Sequence, residues 1–194
     1  MKIRYVNGFL IRNTLDDDFG IIHEPTQDIS HFATKFYIPE GEVWIDHCFK
    51  DEEKFLLDLE NYKVSGEPAP NYVIKSEVID GLKVKDVDGA LVRQYLDPEF
   101  IFGGHDLVYP AYIPVGEIWL DSHMDPSERE FILLHERVER ELMGKGKSYD
   151  VAHEFATASD KELRRARGVG HYPGDANYPW RDLSNEEIIK KYYV

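Results

Sequence analysis

The sequence predicts an α+β fold in which two duplicated β-rich units form a sheet and a C-terminal helical hairpin packs on it. Three observations favour this fold: the chain repeats itself once, each copy contains the alternating segments typical of short strands, and the second copy continues into two helical patterns. We place the first unit at residues 1–82, the second at 83–168, and a tail with a short helix at 169–194.

The internal repeat consists of collinear blocks. Residues 2–19 align without a gap on residues 83–100. After a stretch that is shorter in the second copy, YIPEGEVWID at 37–46 matches YIPVGEIWLD at 112–121. Two blocks in the same order indicate a duplication, so the two copies are expected to share one local fold.

Turn-forming dipeptides stand near the start of each copy. Asn7-Gly8 and Asp88-Gly89 lie between apolar stretches, and such pairs supply the positive φ angles that tight hairpins require. We therefore expect each copy to begin with a β-hairpin, followed by a loop, a third strand and a helix.

The third strand carries acidic residues beside a tryptophan. Alternation along the strand places Glu117, Trp119 and Asp121 on one face. The first copy has the same residue types at the matching positions, although it lacks the histidine motif described below. We therefore favour a structural role for this face, while a ligand or substrate-contacting role for Glu117 or Asp121 stays open.

Two helices are predicted after this strand. Asp125 can cap the first of them, and Pro126 suits its first position. The pattern predicts a helix from about Pro126 to Met143, which two glycines then end. Ser148 can cap a second helix that runs to about Arg167.

The first helix carries a polar pair inside its apolar stripe. His135 and Glu139 are four residues apart, and at about 100° per residue both side chains project from one face and can reach one ion. A buried carboxylate is costly unless it is paired or bound to a metal. With His153 of the second helix they form the ligand set of a catalytic zinc with an open fourth position. Glu136 adjoins a ligand and is the candidate general base.

Other interpretations of this region stay open. In the structural interpretation, Glu139 pairs with a cation from another segment and His153 is a hydrogen-bonded interface residue. In the metal interpretation, other side chains near the motif can replace or join the third ligand: Asp150, Glu154, His105 and His123. Tyr149 lies one helical turn before His153 and can either pack or donate to an oxyanion.

The arrangement His135-Glu136-x-x-Glu139 followed by His153 resembles the zincin metallopeptidases. Their helix carries His-Glu-x-x-His, and in one branch a following helix supplies a glutamate as third ligand; here the two residue types are exchanged. The resemblance covers about residues 112 to 158. It implies a zinc-dependent hydrolase, above all a metallopeptidase acting on a peptide or protein substrate, with Glu136 deprotonating a metal-activated water.

Metals other than zinc, and a function other than catalysis, are also compatible with these residues. Imidazole and carboxylate ligands also suit iron, manganese and nickel. The alternative function is a non-catalytic interaction protein in which a metal pins the two helices together. An open coordination position favours catalysis, whereas a closed site of four protein ligands favours structure.

Composition limits the other classes of function. The net charge of -14 opposes binding to nucleic acids or anionic membranes. The only cysteine, Cys48, permits no disulfide within the chain, and the first residues lack the layout of a signal peptide. No apolar run approaches the roughly 20 residues needed to cross a bilayer. We expect a cytoplasmic protein with neither a nucleic-acid nor a membrane partner.

Overall fold

The computed structural model describes residues 1–16, 18–24, 37–65, 71–169 and 190. The chain divides into two compact units, residues 1–57 with 164–194 and residues 58–163. Both contain helices and strands, which confirms the α+β class. The short helix expected within 169–194 lies outside the described residues, apart from positions 169 and 190. None of the helices in the described ranges has the length and apolar character that a membrane crossing requires.

The first unit contains a three-stranded sheet and short helices. Its elements are β1 (Lys2–Val6), α1 (Gly8–Thr14), β2 (Ile22–His23), β3 (Glu42–Asp46), a 3₁₀ helix (His47–Glu52) and α2 (Glu53–Leu56). β1 and β3 are parallel, with Val6 opposite Asp46, and β2 is antiparallel to β3. The spatial order is therefore β1-β3-β2.

The second unit has the same arrangement, with one strand added before it and two long helices after it. Its elements are a 3₁₀ helix (Leu59–Asn61), β4 (Val73–Ile79), β5 (Leu82–Val87), α3 (Gly89–Tyr95), β6 (Gly103–His105), β7 (Glu117–Asp121), a 3₁₀ helix (Pro126–Glu128), α4 (Arg129–Gly144) and α5 (Tyr149–Ala166). β5 and β7 are parallel, with Val87 opposite Asp121, and the order is β4-β5-β7-β6. Each copy of the repeat thus folds as β-α-β-β.

The second sheet supports the helices that carry the candidate site. Each unit has a sheet of its own, and α4 packs against β6 and β7 of the second sheet. The second unit also contains a buried apolar cluster: Val87, Val92, Phe100, Ile113 and Trp119. The predicted helices are confirmed, because the helical segment starts at Pro126, α4 ends at Gly144 and α5 begins directly after Ser148.

The two predicted hairpins at Asn7-Gly8 and Asp88-Gly89 are wrong. The side chains of Asn7 and Asp88 instead cap α1 and α3, accepting the N–H groups three residues ahead at 2.9 and 3.1 Å. Asparagine and aspartate favour both helix caps and turns, so the dipeptide alone did not decide between them. The tight hairpin lies at Asp80-Gly81, where φ angles of 49° and 84° join β4 to β5.

A buried ion pair ties the helix of each copy to the end of its third strand. Arg12 Nη2 lies 2.9 Å from Asp46 Oδ2, and Arg93 Nη1 lies 2.8 Å from Asp121 Oδ2. Both carboxylates are fully buried. A Cβ on Gly89 would come within 2.0 Å of Asp121 Oδ2, which explains the glycine at the first position of α3. The pair therefore requires close approach between helix and strand.

The third-strand acids have structural partners in the second unit. Glu117 accepts the indole N–H of Trp119 at 3.0 Å and pairs with Lys85 at 2.6 Å. Asp121 pairs with Arg93 and also accepts the backbone N–H of His123 at 2.9 Å. These contacts support the structural role predicted for this face of the strand.

Replacing Asp121 with asparagine is expected to destabilise the protein by about 3–5 kcal/mol, because Arg93 would keep a buried charge without its counter-charge. Urea unfolding followed by circular dichroism measures the change in the free energy of unfolding. The matched control is Asp80→Asn in the exposed pair with Arg137, for which about 0–1 kcal/mol is expected. Equal losses in the two variants would contradict a special role for the buried pair.

Candidate metal centre

The face of α4 that lies against β6 and β7 carries carboxylates. Asp125 caps the helical segment by accepting the N–H of Ser127 at 2.8 Å, and Pro126 follows as the first helical residue. Within α4 the most buried side chains include Glu136 and Glu139, which are only 8% and 3% exposed. Two acids on the inner face of an amphipathic helix need partners or a metal.

The structure brings His135, Glu139 and His153 together. His135 Nε2 lies 3.2 Å from His153 Nδ1 and 3.7 Å from Glu139 Oε2, and His153 Nδ1 lies 2.8 Å from Glu139 Oε2. The side chains of Glu139 and His135 are 4% and 14% exposed, whereas that of His153 is 46% exposed. The cluster is therefore buried on its α4 side and open to solvent beside His153.

This triangle of atoms fits a small divalent cation. A point equidistant from the three atoms lies about 1.9 Å from each, close to the roughly 2.0–2.2 Å of zinc bonds to nitrogen and carboxylate oxygen. Two imidazole nitrogens and one carboxylate oxygen suit zinc chemically. Three protein ligands also leave a fourth position open towards the exposed side.

Neighbouring residues hold the candidate ligands in orientation. His135 Nδ1 lies 2.9 Å from Asp160 Oδ2, so its other nitrogen is directed at the cluster. His105 Nε2 lies 3.1 Å from Glu139 Oε1, leaving Oε2 to face the other two histidines. Tyr149 stacks on the ring of His153 at a centroid distance of 5.3 Å. Every ligand thus has a supporting contact.

Asp160 was not predicted from the sequence, and His105 was named there only as an alternative ligand. Asp160 lies seven residues after His153, two turns along the same helix, and this spacing could have identified it. His105 lies on β6, and its contact with Glu139 depends on how α4 packs against that strand. No spacing in the sequence indicates that packing.

Glu136 lies beside the cluster, in the interior. A carboxylate oxygen of Glu136 lies within 4.8 Å of ligand atoms of His105 and Glu139. The side chain passes β6 at Gly103, where a Cβ would come 3.1 Å from Glu136 Oε1. Among the residues that the structure describes, none forms a hydrogen bond or ion pair with this carboxylate. Burial, together with the charge of Glu139, raises the pKa of Glu136 to about 8.

The histidines and Glu139 shift one another's protonation. Burial acts to lower the pKa of His135, but hydrogen bonds to Asp160 and Glu139 outweigh it and raise the pKa to about 10. Burial acts to raise the pKa of Glu139, yet hydrogen bonds from His105, His135 and His153 hold it well below its usual range. Without a metal, His135 therefore carries the positive charge that balances Glu139.

The remaining candidates from the sequence do not join this cluster. Asp150 and Glu154 are exposed, and neither belongs to a group of converging ligand atoms within the described ranges. His123 instead bonds Asp121, with its Nδ1 3.0 Å from Oδ1. The fourth ligand position is thus not filled by these side chains.

A second group of possible ligands lies in the first unit: Asp46, His47 and Cys48. Both oxygens of Asp46 already have partners, because Oδ2 pairs with Arg12 and Oδ1 accepts the N–H of Cys48 at 3.2 Å. His47 Nδ1 lies 3.2 Å from the carbonyl oxygen of Val6. We therefore interpret this group as the end of β3 followed by a capped turn.

Comparison of the chain with known protein families, curated proteins and solved structures finds no match. The functional argument accordingly rests on the geometry and chemistry of the cluster in the second unit.

Zinc binding at pH 7 is expected to release protons. Since the pKa of His135 is about 10, its imidazolium must lose a proton before Nε2 can bind a metal. The apparent affinity should therefore rise by about tenfold per pH unit between pH 6 and 8 for this one proton. Titration calorimetry in buffers with different ionisation heats gives the number of protons released.

The matched variant for this measurement is Glu136→Gln. With a pKa of about 8, Glu136 is mostly protonated at pH 7, and the arrival of a dication favours its ionised form. The wild-type protein is expected to release about one proton more than Glu136→Gln. Zinc binding that releases no proton from the wild type would contradict the assigned ligand.

Proposed function

We propose that this protein is a zinc-dependent hydrolase, above all a metallopeptidase. The observation that carries the proposal is the combination of three converging ligand atoms, an open side and a buried carboxylate without a partner next to them. The group of His135, Glu139 and His153 has the composition of catalytic zinc sites. Structural zinc sites usually have four protein ligands.

The residues of the cluster divide the chemistry between them. When bound, zinc supplies Lewis acidity toward a carbonyl group and toward water. Glu136 takes a proton from the attacking water and returns it to the leaving amine. Glu136 accepts a proton only in its ionised form, which the charge of a bound dication would favour, although its pKa is about 8 in the metal-free protein.

Tyr149 is the candidate donor to the oxyanion of the substrate. Its ring stacks on His153 at the solvent-exposed side of the cluster. Burial, followed by the charges of Glu139 and Glu136, raises the pKa of Tyr149, so the hydroxyl keeps its proton at neutral pH. A protonated phenol at this position can donate to a developing negative charge.

The substrate we propose is a peptide or protein, and the proposed compartment is the cytoplasm. The single cysteine is consistent with a reducing environment. The strongly negative charge disfavours nucleic acids and anionic membranes as partners.

A metal with a purely structural role is the second candidate function. It is favoured by one observation, namely that the ligands come from both α4 and α5, so an ion would fasten the two helices. In that case the protein would be an interaction module stabilised by its metal. Removal of the metal would then lower the melting temperature without abolishing any turnover.

Protein purified without added metal or a metal-affinity column is expected to contain about one zinc per chain. His135→Ala should lose it, because Nε2 is a ligand and Glu139 would lose a neighbour. His47→Ala is the control, since it removes a histidine from the other group of candidate ligands. Elemental analysis by plasma mass spectrometry measures the content, and loss of zinc in His47→Ala alone would move the site to the first unit.

Glu136→Gln is expected to keep the zinc and lower kcat by about 10²–10⁴-fold, the usual contribution of a general base. Activity is first located with a peptide library from a digested proteome, in which mass spectrometry detects new termini. The best-cleaved peptide then serves for kinetics. The matched control is Glu141→Gln, an exposed glutamate on the same helix.

Full activity in Glu136→Gln would refute its role as general base. Zinc-loaded wild type that cleaves nothing in the library would favour the structural metal instead. A rise in melting temperature on zinc addition, in the absence of cleavage, would support that second function.

A further inference from the structure

His105 lies on β6, the strand at the edge of the second sheet, and is completely buried. Its two ring nitrogens have different partners. Nδ1 accepts the backbone N–H of Leu107 at 3.2 Å, and Nε2 lies 3.1 Å from Glu139 Oε1. Since an amide N–H can only donate, Nδ1 must be unprotonated, and the proton of the ring is on Nε2. His105 therefore donates a hydrogen bond to Glu139 Oε1.

The two oxygens of Glu139 are thereby divided between two tasks. Oε1 accepts from His105, whereas Oε2 faces His135 Nε2 and His153 Nδ1. A free carboxylate can bind a metal through one oxygen or through both. Binding through both would add a second carboxylate oxygen to a centre that already holds three protein atoms and a water or a substrate carbonyl, and so would raise the coordination number above four.

We propose that His105 is a positioning residue that makes Glu139 a one-oxygen ligand and restricts the centre to a single metal ion. This role rests on the metal site of the proposed function, but it does not require that the site hydrolyse peptides. His105 touches neither the ion nor a substrate in this role. It acts through Glu139, as hydrogen-bonding partners of ligands do in other metal sites.

A second metal ion is the competing use of His105. Its Nε2, Glu139 and Glu136 converge within 4.8 Å, and all three residues are buried. Glu139 belongs to both groups of candidate ligands, and with one oxygen in each group it could bridge two ions. However, Nε2 could bind an ion only by giving up its proton while Nδ1 still accepts from Leu107. The ring would then be an imidazolate, so the fixed tautomer opposes a second ion.

The comparison between the two copies supports this specialisation of β6. The two edge strands, β2 and β6, can be aligned on the residue that lies opposite the tryptophan of the third strand. This tryptophan is Trp44 in the first copy and Trp119 in the second. In that register, Ile22, His23 and Glu24 of the first copy stand where the second has Gly-Gly-His. The copy without the histidine helix thus also lacks the positioning histidine.

The adjacent glycine belongs to the same adaptation. A Cβ on Gly103 would come 2.9 Å from Ile132 and 3.1 Å from Glu136 Oε1. The first copy has a full isoleucine side chain at this position. β6 therefore has no side chain at the point where α4 packs against it. This close packing lets His105, two residues further along β6, reach Glu139.

The test uses Co²⁺ in place of zinc, because the visible absorption of four-coordinate Co²⁺ is more intense than that of higher coordination numbers. The wild-type protein is expected to bind one Co²⁺ with intense bands. His105→Leu should bind it about 10–100-fold more weakly and with weaker bands, as Glu139 becomes bidentate. His105→Gln keeps a side-chain N–H for Oε1 and should restore the intense bands.

Three results would overturn the proposal. They are an unchanged affinity and spectrum in His105→Leu, failure of His105→Gln to restore the bands, and two Co²⁺ per wild-type chain with one lost in the variant. Wild type that binds no Co²⁺ or Zn²⁺ would remove the metal site and this role together. Binding of one ion without peptide cleavage would remove the hydrolase alone.

The ring tautomer offers a test that needs no variant. Long-range ¹H–¹⁵N correlation spectra of the metal-free wild type report which nitrogen of each histidine carries a proton. We expect the Nε2–H tautomer for His105. A proton on Nδ1 would contradict the hydrogen bond to Glu139 and overturn the proposal even if His105→Leu failed to fold.

Discussion

The buried pair between Arg93 and Asp121 is the interaction on which the position of the site depends. Arg93 also donates to the carbonyl oxygen of Phe100 at 2.9 Å, so one guanidinium joins α3, the loop before β6 and the end of β7. The backbone N–H of Asp121 bonds the carbonyl of Phe102 at 2.7 Å, which fixes the start of β6. His105 follows three residues later, and α4 begins soon after Asp121. Both sides of the candidate cluster are thus anchored to the same ion pair.

Comparison of the two copies distinguishes residues that the scaffold requires from residues that the candidate site requires. Both copies keep the arginine–aspartate pair, the capping residue before the first helix and the tryptophan of the third strand. They differ in the edge strand and in the helix after the third strand, which is 4 residues long as α2 and 16 as α4. The candidate ligands and their supports all lie where the copies differ. Substitutions at residues shared by both copies are therefore expected to affect folding. Substitutions at residues found only in the second copy are expected to affect the proposed function.

Features that depend on local rules could be predicted from the sequence, whereas contacts that depend on packing between elements could not. Helix α4 and its ligand pair followed from local rules, since capping residues and the spacing of His135 and Glu139 act within one element. The turn at Asp88 was misjudged because caps and tight turns favour the same residue types. The contact of His105 with Glu139 spans 34 residues and depends on strand register and helix packing, which a single sequence does not encode in any spacing. Glu136 was predicted to be a candidate general base, but its burial became apparent only from its packing against Gly103.

The charges within the cluster are consistent with the proposed cation. Glu136, Glu139 and Asp160 bring three acids into a largely buried space, and the Nε2–H tautomer of His105 supplies a hydrogen bond but no charge. In the metal-free protein, the proton on His135 balances Glu139, while burial and the charge of Glu139 raise the pKa of Glu136 to about 8, so that Glu136 keeps a proton at pH 7. A dication held by His135, Glu139 and His153 would replace the proton on His135 and would favour loss of the proton on Glu136. Under the proposed function, metal and protons would compete for the same cluster, and an ion that displaced the protons would leave Glu136 in the ionised form that a general base requires.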